Sequence, residues 1–103
     1  MRILFGWFKG LPYGDCEENF DDYRKLKNTI PKEKVIEHIE SDKVNKGATS
    51  LATFDIITGE RLQAGMFVDG NFAFPFDFLH YYKNYDIGIP YEYEEYLKGI
   101  IDY

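Results

Sequence analysis

Cys16, His38 and His80 are the only cysteine and the only histidines among the 103 residues, and with them this sequence could assemble a nucleophile and its base. Such a pair needs an orienting group brought beside it in space, and the spacing of Cys16 from either histidine does not call for one. The expectation is a structural cysteine and two partly exposed histidines. Metal binding meets the same difficulty. Neither histidine has a second ligand at a useful interval, and Asp15, Glu17, Glu18, Asp21 and Asp22 lack the Asp/Asn alternation and central glycine of a calcium loop. Asp69-Gly70 reads as a turn, because no glycine-rich run leads from it to a lysine and a helix. Glu94 and Glu95 point about 100° apart on a helix, which suits a solvated face better than an acid–base pair. No catalytic residue, metal site or cofactor is expected.

The acids carry more information as a field. The formal net charge is −6, but residues 24–46 hold seven basic and four acidic side chains, a local +3, which leaves −9 for the rest of the chain. Two clusters dominate that remainder: Asp15, Glu17, Glu18, Asp21 and Asp22, then Glu92, Glu94 and Glu95. Phosphate backbones are repelled by such a distribution, so direct nucleic-acid binding is not expected, whereas a basic protein is attracted. Tyr13, Tyr23, Tyr91, Tyr93 and Tyr96 are intermixed with or flank these clusters. Tyrosine supplies contact area and carboxylates supply steering, which is the composition of a binding face. Tyr93, Tyr96 and Leu97 equally make a packing stripe for the core.

These residues must be positioned by a small fold. At 103 residues, 45% of them hydrophobic and 18% aromatic, the chain fits one domain spanning 1–103 with a single core. One cysteine cannot close an internal disulfide, no signal-peptide pattern opens the chain, and no apolar run approaches the roughly 18 residues of a membrane span. A cytoplasmic protein is expected. The opening MRILFGWFKGLPYGD fits a short strand or one helical turn equally well. Helices are predicted over 17–27, where Phe20, Tyr23 and Leu26 lie three apart, over 31–41 after Pro31, over 76–84 after Pro75, and over 91–100 after Pro90. Between them the pattern is β. Ala52, Phe54 and Ile56 alternate with Leu51, Thr53 and Asp55, and Leu62, Ala64, Met66 and Val68 alternate with Arg61, Gln63 and Phe67, joined through Thr58-Gly59-Glu60. The expected fold class is α+β: a small antiparallel sheet of three to four strands, a meander over about 49–74, packed with three to four short helices.

The stretch MFVDGNFAFPFDFLHYYKNY, with eight Phe and Tyr residues in twenty positions, crosses the last turn of that meander. A two-residue loop of Asp69-Gly70 pairs Val68 with Asn71 and puts Phe72 and Phe74 on the face of Phe67, Gly65 and Gln63, the more polar one. A three-residue loop of Val68-Asp69-Gly70 pairs Phe67 with Asn71 and turns both rings toward Met66 and Ala64. One residue of register separates the two.

TGERLQAGMFVDGNFAFPFDFLHYY followed by IPYEYEEYL, roughly Thr58 to Leu97, resembles a family of small bacterial domains related to immunity proteins of contact-dependent growth inhibition and other polymorphic toxin systems. The resemblance implies a cytosolic antidote without catalysis of its own. It would bind one cognate toxin domain, commonly a nuclease, and block its active site or substrate surface. The expected partner is a basic, RNA-cleaving toxin, met by Asp15, Glu17, Glu18, Asp21, Asp22, Tyr23, Tyr91, Glu92, Glu94 and Glu95. Two alternatives stand beside it: a small-molecule or carbohydrate-binding module using exposed aromatic rings, and a small enzyme using Cys16 or a carboxylate.

Overall fold

The computed structural model describes residues 2–11, 13 and 16–101. Its strands are β1 (Ile3–Leu4), β2 (Asn45–Phe54), β3 (Arg61–Asp69) and β4 (Phe72–Pro75), and its helices are α1 (Phe20–Tyr23), α2 (Lys32–Glu40), α3 (Phe76–Asn84) and α4 (Tyr91–Lys98). The α+β class expected from the sequence is found. The sheet, ordered β1-β4-β3-β2, is mixed rather than antiparallel, because β1 runs parallel to β4. Ile3 N–H donates to the Asn71 carbonyl at 2.6 Å and Phe5 N–H to the Ala73 carbonyl at 3.2 Å. Alternation within the first residues could not reveal a partner some seventy positions away.

The prolines set the later helices as expected: α3 has the predicted bounds, with Pro75 as its N-cap, and α4 follows Pro90. α1 is much shorter than the predicted 17–27. Asn19 caps it by accepting from Asp21 N–H, and the Tyr23 carbonyl then takes N–H groups from Leu26 and Gly88 instead of continuing a helix. The predicted strand through Ile57 also ends early. The Asp55 carboxylate accepts from Ile57 N–H at 2.7 Å and Thr58 N–H at 3.0 Å, folding those residues into the turn. Phe54 and Ile56 are left exposed while Thr53 and Asp55 point inward, because Thr53 Oγ1 donates to Asp77, and His80 and Tyr85 donate to Asp55.

The β3–β4 loop takes a third register. Asp69 pairs with Phe72 and Phe67 with Phe74, leaving Gly70-Asn71 as the two-residue loop. Gly70 carries φ +59°, which a mirror-image hairpin turn requires of its first central residue. Phe72 and Phe74 therefore share the face of Phe67, and that face is the core rather than the polar side. Phe74 stacks on Phe5 at 4.6 Å between centroids, and Phe5 meets Phe78 edge-on at 5.1 Å and Tyr93 at 5.0 Å. The segment from Phe5 to Phe8 thus threads between the sheet and α3, where Phe8 also contacts Phe20, Tyr23 and Tyr81. At Gly65 a Cβ would come within 2.4 Å of the Phe76 ring, so the absent side chain is what lets α3 close against β3.

Candidate partner-binding face

The fold brings Glu18 and Asp22 of the first acidic cluster and Glu92 of the second to one groove at the edge strand β1. There a shallow groove of about 370 Å³ runs between Ile3 and Leu4 on one side and Pro90, Tyr91 and Glu92 on the other, with Asp22 and Leu26 also on its wall. Leu4 is 61% exposed and Tyr91 52%, so the groove presents apolar surface flanked by carboxylates. Tyr91 is placed by Pro90 at the start of α4, and its hydroxyl accepts from Lys27 N–H at 3.3 Å. Leu4 and Glu18 are shared with a neighbouring cavity of about 510 Å³, whose other described lining residues are Trp7, Tyr13, Cys16 and Glu17.

The expected binding residues divide into surface and scaffold. Glu17, Asp21, Asp22, Tyr91, Glu92 and Glu95 are exposed. Asp21 and Asp22 stand 3.7 Å from Arg24 and 3.9 Å from Lys25 in open i,i+3 pairs, and Lys98 Nζ lies 3.3 Å from Glu95. Pairs this exposed contribute little to stability and leave the carboxylates open to a partner. Asp21 and Glu95 line neither depression, and Asp15 lies outside the described residues.

Three expected contact residues are internal. Tyr23 is buried; its hydroxyl accepts from Gly6 N–H at 3.0 Å and donates to Glu18, and burial together with that carboxylate pushes its pKa well above the ordinary tyrosine range. Glu18 is half-buried and also accepts from Trp7 N–H at 2.9 Å, so it fixes the groove's inner wall. Glu94 is buried, accepting from Thr29 N–H at 2.7 Å and Ile30 N–H at 3.4 Å ahead of α2. Burial alone would raise its pKa, but the hydrogen bonds from Thr29, Asn28 and Ile30 outweigh it and hold the carboxyl below its usual range. Its neighbour Glu95 faces solvent. The 100° between adjacent helical positions separates the two carboxylates, but only one of them belongs to the solvated face.

The histidines are also internal in large part. His38 is buried rather than partly exposed, and its Nε2 donates to Asp69 at 2.8 Å; Tyr93 and Tyr96 donate to the same carboxylate at 2.7 and 3.2 Å. His80 Nε2 donates to Asp55 at 2.7 Å, as does the Tyr85 hydroxyl at 2.8 Å. No sequence pattern marks these buried carboxylates, because their partners come from distant elements. Among the described residues there is no group of three or more His, Cys, Asp or Glu side chains that could hold a metal ion. No helix of the described residues is long and apolar enough to cross a membrane. No family model matches the chain, and no curated protein or solved structure shows a significant match.

Proposed function

We propose that this chain is an acidic immunity protein that neutralises a cognate toxin domain, an RNA-cleaving one, by covering its basic active-site or substrate surface. The observation that carries the reading is the meeting of Asp22, Tyr91 and Glu92 around the apolar groove beside β1. An RNA-binding cleft must be positively charged, and exposed carboxylates around an aromatic and aliphatic patch complement it in charge. The resemblance over residues 58–97 and the net charge of −6 support the same assignment. Inhibition proceeds by occupancy, with no chemistry on the toxin. The decisive experiment mixes the chain with the toxin domain encoded beside it and measures complex formation and RNA cleavage. A 1:1 complex that abolishes cleavage is expected; absence of a complex, or a complex with full cleavage, refutes the proposal. Asp22→Lys with Glu92→Lys should lower the association rate about tenfold or more and flatten its dependence on salt. A second reading, a small-molecule binding module, is favoured by the 510 Å³ cavity and predicts a ligand-induced rise in Tm without any protein partner.

A further inference from the structure

The cavity beside the groove has its own chemistry. The rings of Trp7 and Tyr13 meet at right angles with centroids 5.1 Å apart, forming an aromatic corner. Both rings are held by their polar ends. Trp7 Nε1 donates to the Ala73 carbonyl at 3.3 Å, and the Tyr13 hydroxyl donates at 2.6 Å to Asp77, a buried carboxylate that also accepts from Thr53 at 2.8 Å. A receptor fixed in this way loses little freedom when a ligand arrives. Glu17 stands exposed at the cavity and has no hydrogen-bond or ion-pair partner among the described residues. No Lys or Arg is among the described residues that line the cavity. Aromatic surface and a carboxylate, with no cation among the described lining residues, complement a positively charged group.

We infer that this cavity is the anchor site for an arginine side chain of a basic protein partner, with the guanidinium packed against Trp7 and Tyr13 and paired to Glu17. The inference rests on the reading above for the protein that carries the arginine, not for the chemistry of the pocket. Guanidinium suits the site better than ammonium. It is flat, weakly hydrated, stacks on rings and presents several donors along its edge to a carboxylate. A sugar suits it less well, because the indole N–H and the tyrosine hydroxyl that would recognise its hydroxyls are already committed inward.

Trp7 is the only tryptophan in the chain and reports on the site directly. The purified protein is titrated with N-acetyl-arginine amide, with the neutral isostere N-acetyl-citrulline amide and with N-acetyl-lysine amide, following Trp7 emission and the indole N–H resonance. Saturable binding of the arginine amide is expected, weakened about tenfold or more in Glu17→Gln, in line with loss of a charge-assisted hydrogen bond. Equal binding of the citrulline or lysine amide, an unaltered affinity in Glu17→Gln, or a silent Trp7 overturns the inference. A silent Trp7 together with a tight toxin complex removes the arginine pocket and leaves the inhibitor reading intact. Saturable, Glu17-dependent arginine binding without any toxin complex does the reverse.

Discussion

Replacing Asp55 with Asn tests whether one buried carboxylate decides where β2 ends and ties the turn to α3. Asp55 Oδ1 accepts from Ile57 and Thr58 N–H, and Oδ2 accepts from His80 Nε2 and Tyr85 Oη. Burial pushes its pKa up, but the donors from His80, Thr58, Ile57 and Tyr85 prevail and bring it down to about 2. Measured against an ordinary carboxyl near 4, at about 1.4 kcal/mol per pH unit, the ionised form contributes roughly 2 kcal/mol to folding. The folded-state value lies below the unfolded one. The contribution is therefore complete above about pH 5 and is lost as the pH falls through 4 toward 2, with about half remaining near pH 3. Asn keeps the shape and one acceptor but turns an NH₂ group toward two donors, so Asp55→Asn should cost about 2 kcal/mol at neutral pH. Urea unfolding at pH 7, 4 and 3 reads both quantities. The wild type should converge on the variant as the pH falls. A cost under about 0.5 kcal/mol at pH 7, or a difference that does not shrink with acid, refutes the assignment of Asp55 as an ionised hub.

Adjacent acids on α4 should behave as differently as their surroundings. Glu94→Gln is expected to lose about 1–2 kcal/mol in urea unfolding, because a charged acceptor of main-chain N–H groups is replaced, whereas Glu95→Gln should stay within about 0.5 kcal/mol. Equal effects would contradict the buried placement of Glu94. Gly65→Ala puts a methyl within 2.4 Å of Phe76 and 2.7 Å of the Gly47 carbonyl, so a cost of about 1–3 kcal/mol is expected, visible as a lower Tm. An unchanged Tm would mean that α3 does not close on β3 at that point.

The parts of the fold that were legible in the sequence are those decided within a few residues. Pro75 and Pro90 fix helix starts by their own geometry, Asp77 sits where a first turn favours it, and α2 shows its apolar stripe of Val35, Ile36 and Ile39. The alternation through and just beyond β2 was misleading for a physical reason: Thr53 and Asp55 look like outward residues until Asp77 and His80 of α3, and Tyr85 at its C-cap, supply hydrogen bonds that make burial favourable. The candidate face was half legible in the same sense. Asp22, Tyr91 and Glu92 could be singled out as charge and aromatic area, but Glu94 and Tyr23 carry the same residue types and are buried in the scaffold.

Sequence alone determined the α+β class, the uneven charge and the helices that prolines begin, because each follows from local stereochemistry or from composition. Tertiary structure alone decided that β1 lies beside β4, that Asp22 and Glu92, seventy residues apart, line one groove, and which of the described acids face water. A carboxylate is worth exposing or burying according to the donors around it, and those donors arrive only when the chain has folded.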